Sequence, residues 1–176
     1  SYIELGNVYQ FLGNYFEAVK TYFTALKLSE KTGNKSGIAK CYNNLGTLYE
    51  NQGKYPEALK NYFASLKIKE EINDKKGVGV AYNNIGKIYQ FQGNYPAALK
   101  YHFASLKIKE EFGDKKGISN SYNSIGSICA AQGNYDEALK HIYTALKIKE
   151  EIGDKNGLIR SRNAIGLVKV KLKMPK

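Results

Sequence analysis

The chain repeats itself every 40 residues. Starts fall at Tyr2, Tyr42, Tyr82 and Tyr122, and a fifth falls at Arg162. Several columns hold nearly constant. Leu5, Leu45, Ile85, Ile125 and Ile165 share one, and Gly6, Gly46, Gly86, Gly126 and Gly166 follow directly. Further columns are Tyr9, Tyr49 and Tyr89; Gly13, Gly53, Gly93 and Gly133; Tyr15, Tyr55, Tyr95 and Tyr135; and Ala18, Ala58, Ala98 and Ala138. Self-similarity at a fixed period means stacked units, each too small to bury its apolar face alone.

The spacing inside one unit is helical. Tyr82, Ile85, Ile88 and Tyr89 stand at steps of three and four, as one stripe of an amphipathic helix does. Gln92-Gly93-Asn94 breaks the pattern. A second stripe is predicted through Ala98, Phe103, Leu106 and Ile108 to Phe112, ended by Gly113 and Asp114. Glycine inside a helix costs about 1 kcal/mol against alanine, so Gly86 needs a reason. Close contact with the small Ala98 of the partner helix is the expected one. Each unit therefore reads as a helix hairpin with a tight turn.

The residues resemble the tetratricopeptide repeat. The second unit carries Tyr42, Leu45-Gly46, Tyr49, Gly53, Tyr55, Ala58 and Ser65 in that family's order, and the pattern recurs through nearly the whole chain. The period exceeds the usual length of about 34. It is similar to an extended subclass found in kinesin light chains, the spindle adaptor Pins/LGN and bacterial signalling proteins. The resemblance implies an all-α, right-handed superhelical solenoid of antiparallel hairpins. It would be one domain over 1–176, with repeats 2–41, 42–81, 82–121 and 122–161 and an end helix over 162–174.

Charge is unevenly placed. Residues 1–154 hold 20 basic and 16 acidic side chains, whereas 155–176 hold seven bases and no acid. Most of the net +11 is thus terminal, and nucleic acid is the least favoured partner. On the second helices Lys67 stands three and four residues before Glu70 and Glu71, as a solvated mixed face does. Cys41 and Cys129 occupy columns in different repeats and read as packing residues. No stretch is long and apolar enough to span a membrane. The chain reads as an excised fragment, so its compartment stays open, with the cytoplasm favoured.

Asn34, Asp74, Asp114 and Asp154 are expected N-caps, and Pro56 and Pro96 suit a first helical turn. In the last unit Lys169, Lys173 and Pro175 replace the core Tyr, the turn Gly and the turn Tyr. Lysines there suit a solvated end helix, or a basic linker. No such polar cap precedes Tyr2, so apolar surface is expected at the front.

In the resembling family the first helices line a concave groove. Carried over, that groove holds Asn7, Asn43, Asn44, Asn83, Asn84, Lys87, Gln90, Phe91 and Asn123, with Phe11 as a further apolar anchor. An asparagine amide offers a donor and an acceptor together, so it can hold a peptide unit whatever its side chains. The ladder either grips a peptide or ties the stack together, and both roles are compatible. Three or four neutral hydrogen bonds yield about 4 kcal/mol, whereas micromolar binding needs about 8, so apolar anchors must add the rest. The chaperone-tail subclass clamps a terminal carboxylate with cations, but the corresponding Asn43, Thr47, Asn84, Asn120 and Ser124 are uncharged.

No catalytic pattern, metal set or cofactor motif stands out. His102 and His141 lack ligand partners at useful spacing and are expected to be semi-buried or superficial. The Glu-Glu pairs at 70–71, 110–111 and 150–151 are periodic surface charge. The expected function is non-enzymatic binding of a protein or extended peptide, as the interaction or sensory module of a larger signalling protein. End-to-end self-association through the apolar front is the alternative.

Overall fold

A computed structural model describes residues 1–173. The described residues form nine helices: α1 (Tyr2–Phe11), α2 (Tyr15–Lys31), α3 (Lys35–Asn51), α4 (Tyr55–Glu71), α5 (Lys75–Phe91), α6 (Tyr95–Glu111), α7 (Lys115–Ala131), α8 (Tyr135–Glu151) and α9 (Lys155–Lys173). Met174, Pro175 and Lys176, which include the expected close of the end helix, lie outside them. The all-α class and the run of helix hairpins are as the periodicity predicts.

The residues group into two compact units, Ser1–Ile88 and Tyr89–Lys176. In the first, α1 packs on α2, α2 on α3 and α3 on α4. Its core includes Ala18, Tyr22, Leu45 and Leu48 in one cluster and Ala25, Leu26 and Cys41 in another. In the second, α6 packs on α7, α7 on α8 and α8 on α9, around Leu106, Ile125, Cys129, Ala138, Ile142, Ile165 and Val168. Both cysteines are buried and free.

Caps and turns explain the boundaries. Asn34, Asp74, Asp114 and Asp154 accept from the backbone N–H three residues on, each at 2.9 Å. In the hairpin turn Gly53 takes φ 70°, Lys54 N–H reaches the Tyr49 carbonyl at 2.9 Å, and Gly53 N–H reaches that of Glu50 at 2.9 Å. This is a Schellman close, which needs a left-handed residue. The following helix starts at Tyr55 with Lys54 as cap residue, so Pro56 sits in the first turn, where its missing N–H costs nothing.

In the first, second and fourth repeats the helix glycine meets the side chain sixteen residues on. A Cβ on Gly6 would lie 2.5 Å from the Tyr22 ring and one on Gly46 2.6 Å from the Tyr62 ring. One on Gly126 would lie 2.7 Å from Ile142 and 3.0 Å from the Ala138 carbonyl.

The buried stripe of the second helix differs in part from the expected one. It runs through Ala98, His102, Ser105 and Leu106, so the expected Ala98 and Leu106 are buried, whereas Phe103 and Phe112 are exposed. His102 is therefore core, at 1% exposure, in the place that Tyr22 and Tyr62 fill elsewhere. Neither ring nitrogen has a hydrogen-bond partner. Burial first, then the Lys109 charge, pushes the imidazole down to about 4.

The second helices also bury lysines that the sequence reading did not single out. Lys69 and Lys149 are buried, completing the stripes Ala58-Tyr62-Ser65-Lys69 and Ala138-Ile142-Ala145-Lys149. Their stems pack where the next helix begins, against Gly77 and Gly157.

Candidate functional site

In the first unit the asparagine amides of α1, α3 and α5 bond to one another. Asn84 Nδ2 donates to Asn43 Oδ1 at 3.2 Å, and Asn44 Nδ2 donates to Asn7 Oδ1 at 2.9 Å. Asn43 Nδ2 and Asn44 Oδ1 are 3.5 Å apart and link the two bonds weakly. The Tyr22 hydroxyl lies 2.7 Å from Asn7 Oδ1 and 2.9 Å from Gln10 Oε1. The phenol has a single proton, so it serves one of these oxygens at a time. Burial, then the nearby Cys41, raises this phenol to about 12, so it stays protonated as a donor.

One repeat along, Tyr62 OH donates to Glu50 Oε2 at 2.7 Å and touches Thr47 Oγ1 at 3.2 Å. Lys87 forms a close ion pair with the other Glu50 oxygen. These contacts support a cavity of about 350 Å³ lined by Asn7, Gln10, Phe11, Asn44, Thr47 and Asn51. Phe11 is 89% exposed at its edge. Asn83 is half-buried on α5.

In the second unit Gln90 Nε2 lies 3.5 Å from Ser127 Oγ, and Phe91 is exposed. Asn123 Oδ1 accepts from Ser161 Oγ at 3.2 Å, and that hydroxyl accepts from Lys149 Nζ at 2.9 Å. Asn123 and Ser127 line a second cavity, of about 300 Å³, with Ala130, Ala131, Leu167 and Lys171 among its other walls.

The first unit thus brings Asn7, Asn43, Asn44 and Asn84 into one amide chain and adds Lys87 through Glu50. In the second, Gln90 and Asn123 each bond a hydroxyl rather than another amide. The relay from Lys149 was missed at the sequence level. Its signal was the four-three-four spacing that puts Lys149 on the buried stripe, with Ser161 twelve residues on. Among the described residues no group of three or more His, Cys, Asp or Glu stands placed to hold a metal ion, and no helix is long and apolar enough to cross a membrane.

The family profile described as Tetratricopeptide repeat matches residues 1–71, 42–111 and 117–176. No curated protein is similar in sequence at a significant level. Among solved structures, the apo form of RapI is similar with a TM-score of 0.88 at 20% identity, over 95% of this chain and 61% of that one. BtubC from P. vanneervenii gives 0.78 at 24% identity, over 86% and 63%. A signal transduction ATPase with a tetratricopeptide repeat sensor, from Pyrococcus horikoshii, gives 0.87 at 21% identity, over 96% and 26%. The chain spans less than two thirds of the length of each.

Proposed function

Because the chain belongs to the tetratricopeptide repeat family, whose arrays are typically interaction scaffolds, we propose that its first helices bind an extended peptide segment of a partner protein. The observation that carries this reading is the cavity between Asn7 and Asn44, where amides tied to one another meet the exposed Phe11. Mutual bonding does not exhaust these groups. Asn7 Oδ1 is occupied by Asn44 and Tyr22, which leaves the Asn7 Nδ2 protons to donate elsewhere. Amides held by neighbours lose little freedom on binding, so more of each bond's free energy reaches the complex. Phe11 supplies the apolar contact that hydrogen bonds alone cannot replace.

The same surface suits a sensory or interaction module in a larger signalling protein, as in the ATPase whose sensor is built from such repeats. The test is a peptide array probed with the wild-type chain and with an Asn7→Ala, Asn44→Ala variant. Wild-type binding that the variant loses supports the reading. Identical binding by both removes the amides from it.

A second reading, end-to-end self-association, draws on α1 and the start of α2. Leu5 is 43% exposed where its column mate Leu45 is 1% exposed, and Val8 and Phe16 are exposed as well. Light scattering tests it, and a mass that stays monomeric as concentration rises contradicts it.

A further inference from the structure

The second unit's cavity differs in chemistry from the first unit's. We propose that it takes an internal acidic residue spaced two positions from an aliphatic residue in an extended peptide, with the carboxylate at Lys171 and the aliphatic side chain against Ala130, Ala131 and Leu167. The inference rests on the groove reading above and assigns the ligand class of one part of it.

Donor polarity is the first support. Lys149 is 1% exposed, and its ammonium can only donate. Ser161 Oγ receives that bond at 2.9 Å, which commits the hydroxyl proton to Asn123 Oδ1 at 3.2 Å. The Asn123 carbonyl is thereby occupied, and its Nδ2 protons remain for whatever fills the cavity that the residue lines. A buried cation thus fixes a surface amide as a donor.

Charge is the second. Lys171 lines the same cavity, with no Asp or Glu among the described residues that line it. Residues 155–176 carry no acid. In the first unit, by contrast, no ionisable group lines the cavity, and Lys87 is already engaged by Glu50. A carboxylate is the complement of a lysine beside amide and hydroxyl donors.

Spacing comes from strand geometry. Successive side chains of an extended peptide point to opposite faces, so residues two apart share a face about 7 Å apart. An acidic and an aliphatic residue at that spacing can enter one cavity together. A terminal carboxylate is disfavoured, because it would add a charge to that of an acidic side chain and Lys171 is the one cation among the described residues lining the cavity.

The test uses acetylated, amidated peptides of sequence Gly-Ser-Phe-Ser-Glu-Ser-Leu-Ser-Gly, labelled with a fluorophore and followed by anisotropy. Glu→Gln in the peptide is expected to weaken binding about tenfold to the wild-type chain and to leave binding to Lys171→Gln unchanged. A Glu→Lys peptide is expected to regain affinity with Lys171→Glu. Both Lys171 variants alter an exposed side chain, and circular dichroism verifies their helix content. Equal affinity for the Glu and Gln peptides overturns the inference and leaves the groove reading standing. Recovery of the Gln peptide by a free C-terminal carboxylate also overturns it, in favour of terminal recognition. Failure of every peptide here and on the array overturns both.

Discussion

Lys149 Nζ donates to Ser161 Oγ at 2.9 Å, and both side chains are shut away from water. The bond ties the last turn of α8 to α9 and stands behind Asn123. Burial and the nearby Arg160 lower the Lys149 pKa, opposed by Asp154. Ser161→Ala leaves the ammonium without this acceptor and is expected to cost about 2 kcal/mol in urea unfolding. Adding Lys149→Met should recover most of that loss, because it replaces a buried charge with an apolar chain of similar length. A Ser161→Ala variant as stable as the wild type would contradict the account.

Two glycines of one column should respond in opposite senses. A Cβ on Gly46 would come 2.6 Å from the Tyr62 ring, whereas one on Gly166 would meet nothing within 4 Å. Gly46→Ala is expected to destabilise by about 2 kcal/mol through overpacking. Gly166→Ala should stabilise by up to about 1 kcal/mol through helix propensity. Urea midpoints of the two variants decide it, and shifts of the same sign would refute the contact argument.

His102 makes stability depend on pH. Its folded pKa of about 4 lies below the ordinary 6.5. The unfolded chain therefore takes up the proton first as pH falls. Stability from this group is whole above about 6.5 and drops by about 3 kcal/mol on acidification to about 4. His102→Phe should abolish that part of the slope, read as the difference between wild-type and variant unfolding free energies across the range. A difference that stays flat with pH would contradict the burial. His141, also lowered by burial, is present in both proteins and cancels.

Much of this was legible in the sequence. The 40-residue period carries the hairpins and their caps at Asn34, Asp74, Asp114 and Asp154. What it hid was which other residues fill the buried face of the second helices. Phe103 and Phe112 drew the expected stripe by hydrophobicity, yet the stripe contains His102 and Ser105 beside the expected Ala98 and Leu106. A lysine with a long apolar stem can lie in a core if its ammonium finds a hydroxyl, as Lys149 does. Residue type alone does not announce that, while helical spacing does. The amide chain was equally out of reach. Columns place Asn43, Asn44 and Asn84 at matching positions of the first helices, but only side-chain geometry decides that Asn84 donates to Asn43 and Asn44 to Asn7.

The central claim is that a peptide lies against first-helix amides, and the side-chain NH₂ resonances of the asparagines report it most directly. A peptide selected on the array would be titrated into isotope-labelled protein. Resonances of Asn7 and Asn44 should move on binding, while that of Asn61, which donates to the Glu57 carbonyl on α4 at 2.8 Å, should stay. Movement at Asn61 with Asn7 and Asn44 unchanged would place the ligand on the second helices and contradict the account.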